Sequence, residues 1–145
     1  ITEPEATFSP CFGGPFLTLH PLKYAELLKD KIDKFNVDVY LVNTGWVGGS
    51  PSSGAKRISI KDTRTMITSI LDNTISKSTF NVEPYFGLNI PVNIEGVKTD
   101  LNPKNSWNDQ ELYDSEAKKL ANLFKQNFSL YGKEVEHLIK SGPIV

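Results

Sequence analysis

Apolar residues recur at helical spacing in three stretches of this chain. In the first, Ala25, Leu28, Ile32 and Phe35 share one face, while Lys23, Glu26, Lys29, Asp30, Asp33 and Lys34 fill the other. His20-Pro21 opens that helix, since a proline in the first turn gives up an N–H that has no partner there anyway. The pattern predicts an end near Phe35-Asn36. In the second, Ser59 and Asp62 form a capping-box-like start, with Asp in place of the usual Glu or Gln. Thr63, Met66, Ile67, Ile70 and Leu71 then give one apolar face to a helix ending near Asp72-Asn73. The third starts between Ser106 and Asp109 and carries Tyr113, Ala117, Leu120, Ala121, Phe124, Phe128 and Tyr131 along one side. Gly132 breaks it, Val135 to Ile139 adds a terminal turn or two, and Gly142-Pro143 closes the chain.

Period-two signals are sparser. Val37 to Val42 is β-branched and apolar with little interruption, which predicts an interior strand covered on both faces, as in α/β sheets. Thr79 to Val82 and Leu88 to Val92 read as short extended segments, kept short or at an edge by Pro84 and Pro91. Residues 1–19 read as irregular, with Phe8, Phe12 and Phe16 packed inward. The predicted order is helix, strand, loop, helix, two short strands, long helix. That is α/β with mixed α+β character and too few strands, because a lone buried strand needs neighbours for its backbone groups. The chain reads as part of a domain whose remaining strands lie elsewhere.

Length and composition narrow the class. A chain of 145 residues is one domain's worth, with 39% apolar and 23% charged residues. The net charge of −1 argues against a nucleic-acid surface. Cys11 is the single cysteine, so no disulfide forms within the chain; a small buried hydrophobe in a reduced, cytoplasmic setting is expected. No apolar run approaches the roughly 20 residues that span a bilayer, and no signal-peptide pattern is present. The chain opens at Ile1, as a processed chain or a piece of something larger would.

The stretch from Tyr40 to Arg64 carries the candidate chemistry: a strand, a glycine-rich loop, two adjacent cations and a capped helix. That order presents backbone N–H groups and positive charge to an anionic ligand. Gly49 and Gly54 match the first half of a phosphate loop, G-x-x-x-x-G-K-S/T, but Ala55 intervenes before Lys56, and Arg57 stands where a hydroxyl would hold magnesium. A surface hairpin or lid is the better reading of the loop. Lys56 and Arg57 sit before a helix start, where the dipole disfavours cations. A bound anion, Asp62 or solvent would offset them. Trp46 reads either as a base-stacking ring or as packing at a strand end. His20 and His137 lie far apart, and no cluster has metal-ligand spacing.

The segments ITEPEATFSPCFGGPF, HPLKYAELL, LVNTGW, KRISIKDTR, PYFGLNIP and NPKNSW, through to Gly142-Pro143, resemble the C-terminal part of ATP-dependent phosphoenolpyruvate carboxykinases. The resemblance is collinear over essentially the whole chain, apart from extra residues, Gly48 to Ser53, between NTGW and KR. It implies that residues 1–145 are the C-terminal portion of a carboxykinase-type mononucleotide-binding domain, an incomplete sheet flanked by helices. Such enzymes convert oxaloacetate and ATP to phosphoenolpyruvate, carbon dioxide and ADP with a divalent metal, Mg2+ or Mn2+. By resemblance, Arg57, Ile58 and Thr63 line the adenine and ribose end of the ATP site: Arg57 on the face of the base, Ile58 through backbone and apolar contact, Thr63 through its hydroxyl. Phe16 matches an aromatic near the small-substrate pocket. The phosphate loop, the metal ligands and the catalytic residues would lie upstream of Ile1, so no catalytic residue or metal ligand is expected among these 145, and the chain alone is expected to be inactive. A non-catalytic nucleotide-binding or interaction module of the same fold is the alternative.

Overall fold

The computed structural model describes residues 7–9 and 13–145. Cys11 and Phe12, and the expectations attached to them, lie outside the described residues. The chain divides into two compact units, residues 5–43 and a larger one built on residues 44–145.

The smaller unit holds a 3-10 turn, Gly14–Phe16, and helix α1, Pro21–Phe35. His20 caps α1, its Nδ1 accepting from the Leu22 N–H at 3.2 Å, and Asn36 ends it in the left-handed region at φ 49°. Both ends fall where the sequence predicts. Its packing does not. α1 has no buried residue, and Phe8 and Phe16 are exposed, Phe16 at 79%. A single helix offers no second layer to bury an apolar face. Residues 37–42 correct the sequence expectation most plainly. They form no strand, and Leu41 is 80% exposed. A strand exists only as one side of a hydrogen-bonded ladder, and the described residues supply no other side.

The larger unit begins with a tight hairpin. Strands β1, Trp46–Val47, and β2, Lys56–Arg57, pair antiparallel, Trp46 opposite Arg57 and Val47 opposite Lys56. The glycine-rich loop between them is a folded hairpin connection. A 3-10 turn at Pro51–Ser53 is closed by Ser53 N–H and Oγ, both donating to the Ser50 carbonyl. Gly48 has φ +88°, and a Cβ there would sit 2.5 Å from the Ser106 carbonyl oxygen. The loop therefore packs backbone to backbone against the turn Pro103–Ser106, which only glycine permits.

Helix α2, Ile60–Leu71, follows at once. It buries Met66, which forms a core with Ile75 and Ile94; Ile58, Ile70, Val97 and Leu101 pack against this core. Ile67 and Leu71, expected on the buried face, are exposed, Leu71 at 81%. At about 100° per residue Ile60, Ile67 and Leu71 make a second apolar stripe, which nothing described covers.

Strands β3, Phe80–Val82, and β4, Asn89–Pro91, form a second antiparallel hairpin, with Asn81 opposite Ile90. The expected edge character of the Pro91 strand holds, since the sheet has two strands. Helix α3, Gln110–Ser129, is capped by Asp109, whose Oδ1 accepts from the N–H groups of Glu111 and Leu112 at 2.9 Å each. Its predicted stripe buries Ala121 completely and sets Phe124 edge-on to Phe86 and Tyr113 edge-on to Tyr85 and Trp107. Gly132 (φ +77°) ends this run, a 3-10 segment over Lys133–Ser141 buries Val135, and the tail returns through Ile144 N–H to the Tyr85 carbonyl. The described residues are thus three α-helices with two small antiparallel hairpins, α+β in character; the sheet of an α/β domain is not among them.

Candidate functional site

The junction from β2 into α2 holds Arg57, Ile58 and Thr63 within seven residues, and its local chemistry fixes each in turn. Arg57 lies on the hairpin with its guanidinium carbon 5.1 Å from the centroid of the Trp46 ring. Ile58 donates its N–H to the Gly45 carbonyl at 3.1 Å and packs its side chain against the Met66 core. The chain then turns into the helix at Ser59, whose Oγ accepts from the Asp62 N–H at 3.0 Å. Thr63 makes the first helical bond, N–H to the Ser59 carbonyl at 2.9 Å, and is half-buried.

Asp62 locks this turn to a distant loop. Only 4% exposed, it accepts from Thr99 Oγ at 2.6 Å, from Thr99 N–H at 3.1 Å and from Lys98 N–H at 3.3 Å. The Thr99 hydroxyl, with these amides and Ser59, holds its carboxyl below the usual carboxylate range, against the opposing effect of burial. So the carboxylate named as one offset to the cation pair is committed to residues 98–99. Arg57 rests instead on Trp46, which settles that ring as a partner of the cation within this chain.

A separate groove runs along α2. It is open, about 890 Å³, and lined by Lys61, Arg64, Thr65 and Thr68 of α2 together with Lys77 and Asn93 to Glu95. Thr63 sits about 160° around the helix from both Lys61 and Thr65, and none of Arg57, Ile58 or Thr63 lines the groove. Asp72 at its end is engaged locally: the Thr74 hydroxyl, at 2.7 Å, and the Thr74 N–H lower its carboxyl. Phe16 belongs to the other unit.

Sequence reasoning missed two polar constellations. The partners of Asp62 are 36 and 37 residues away, so its cap-like spacing disclosed half of its role. The other joins Lys104, Asp114 and Tyr85. Lys104 Nζ reaches both Asp114 oxygens, at 2.9 and 2.7 Å, and this pairing lowers the Asp114 carboxyl. The Tyr85 hydroxyl donates to the same carboxylate, which pushes Tyr85 up to about 12. No spacing rule links a hairpin turn, a 3-10 turn and a helix. Among the described residues no group of three or more His, Cys, Asp or Glu is placed to hold a metal ion, and no helix is long and apolar enough to cross a membrane.

The phosphoenolpyruvate carboxykinase family model matches residues 1–100, which includes the whole β2–α2 junction. The ATP-dependent carboxykinase of Staphylococcus aureus (strain bovine RF122 / ET3-1) is 48% identical over 143 residues, 98% of this chain. This chain belongs to the ATP-dependent phosphoenolpyruvate carboxykinase family. The carboxykinase (ATP) of Caldanaerobacter subterraneus subsp. tengcongensis is equally similar, 48% over 144 residues and 99% of the chain. In both cases the chain spans 27% of the carboxykinase's length.

Proposed function

We propose that these residues work as a segment of an ATP-dependent phosphoenolpyruvate carboxykinase, a cytoplasmic enzyme that converts oxaloacetate and ATP to phosphoenolpyruvate, carbon dioxide and ADP, and that they form the adenine and ribose wall of its nucleotide site. The observation that supports this most is collinear 48% identity over nearly the whole chain to enzymes of that name. The junction geometry agrees with it: an exposed guanidinium on a rigid hairpin, followed by a helix whose first turn carries a hydroxyl.

In this reading the base lies on Arg57, whose planar guanidinium suits a π-face better than an ammonium would. Ile58 contributes through its backbone, because its side chain is occupied by the core. Thr63 reads a base edge, and Phe16 stands near the small substrate. Phosphoryl transfer depends on positioning and charge neutralisation. A divalent ion, Mg2+ or Mn2+, supplies part of that neutralisation when bound. The described residues do not suit it, lacking a ligand cluster, so its ligands are assigned to the three-quarters of the enzyme that this chain does not span. The same portion supplies the strands that 37–42 requires.

The test is kinetic, in a full-length carboxykinase carrying this segment. Arg57→Ala and Thr63→Ala raise the KM for ATP, the latter by about fivefold, the usual net worth of about 1 kcal/mol for one hydrogen bond. The KM for oxaloacetate stays put. The 145 residues alone form no phosphoenolpyruvate in a linked assay. Unchanged ATP kinetics in both variants would remove the junction from the nucleotide site and favour a module without catalytic use of ATP.

A further inference from the structure

We infer that Trp46 is a positioning residue of the nucleotide site, holding the Arg57 guanidinium flat so that its opposite face receives the base. The inference rests on the nucleotide reading above. Four observations carry it. Trp46 and Arg57 are directly opposed across the β1–β2 ladder, so their side chains leave the same face of the hairpin. The guanidinium carbon stands 5.1 Å from the ring centroid, within the reach of a cation–π contact. The pair is at the surface, Trp46 being 44% exposed, so the ring is not there to fill a core. The hairpin beneath it is immobilised at both ends, by Ile58 N–H on the Gly45 carbonyl and by the close approach of Gly48 to Ser106.

An arginine side chain that hangs free must lose rotamer freedom when a base stacks on it. One already laid on an indole has lost most of that freedom on folding, so less is lost when the ligand arrives. The expected arrangement is three layers: indole, guanidinium, base. Lysine at 57 would not form it, because an ammonium has no plane to share. The indole needs no contact with ATP; it acts through Arg57.

The experiment is a double-mutant cycle in the full-length carboxykinase, read as KM for ATP and kcat. Trp46→Leu raises the KM for ATP about two- to fivefold, the worth of an exposed cation–π pair, with kcat changing by less than KM. Trp46→Phe recovers most of the loss. In an Arg57→Ala background Trp46→Leu adds nothing. Nucleotide titration followed by tryptophan fluorescence shows a component that Trp46→Phe removes, a readout available even if the leucine variant folds poorly. An unchanged KM in Trp46→Leu beside a raised KM in Arg57→Ala would overturn the positioning role and leave the nucleotide reading standing. A Trp46→Leu effect that persists without Arg57 would equally overturn it. No effect of Arg57→Ala would instead sink the reading on which it rests.

Discussion

Two segments of similar length behave in opposite ways. From Arg57 to Thr63 the chain is pinned at every step: Arg57 on Trp46, Ile58 on Gly45 and the core, Ser59 on Asp62, and Asp62 on Lys98 and Thr99. From Val37 to Val42 a far more apolar run forms no element and leaves its side chains exposed. The first closes its hydrogen bonds within residues 44–101. The second has the composition of an interior strand, and a ladder needs a partner that composition cannot provide. A segment carries its fold when its polar groups can be satisfied nearby; otherwise it carries only a requirement.

Hydrogen exchange would break that contrast most forcefully. In this chain alone the amides of 37–42 exchange at nearly unprotected rates, while those of Met66 to Ile70 are protected. In the full-length carboxykinase, 37–42 slow by about a hundredfold or more. Protection of 37–42 in the 145-residue chain would erase the distinction. A smaller effect tests the hairpin beneath the junction. Gly48→Ala must hold φ +88° and push against the Ser106 backbone, which lowers stability by about 2 kcal/mol in chemical denaturation. Gly54→Ala, with open space around its Cβ, costs less.

Asp62→Asn sharpens the other side of the comparison. Exchange at the Lys98 and Thr99 amides rises about tenfold at neutral pH, with Thr63 loosened in turn. The native carboxyl lies below its unfolded value, so its contribution is complete above about pH 4 and disappears as pH falls through the lowered native value. The difference between Asp62→Asn and the parent therefore closes on acidification. A difference that grew instead would mean that the carboxylate is not the anchor. The smallest effect belongs to Tyr85. Its neutral form is favoured in the fold, so its contribution is intact below about pH 10 and fades as pH rises through about 12. Burial also raises Tyr113, so ultraviolet titration shows more than one late tyrosine, and Tyr85→Phe removes the component at about 12.

The same principle separates what was legible from what was not. Helices α1 and α3 begin and end where the sequence places them, because His20, Asn36, Asp109 and Gly132 act on their own neighbours. The face of α2 was misread at Ile67 and Leu71, since a helix with two apolar stripes does not disclose which one meets the core. Phe8 and Phe16 point to burial by composition, yet both are exposed. At the site, Arg57, Ile58 and Thr63 were found by likeness to a family. The Trp46 contact that organises Arg57 depends on hairpin register across a loop of eight residues, Gly48 to Ala55, and no local rule supplies that register. Asp62 needed a partner loop more than thirty residues downstream.

The most direct measurement is a crystal structure of a full-length carboxykinase carrying this segment, with an ATP analogue bound. The account predicts the adenine in van der Waals contact with the Arg57 guanidinium and its edge hydrogen-bonded to the Thr63 hydroxyl. A base seated in the groove along Lys61, Thr65 and Thr68, on the far side of α2, would contradict it.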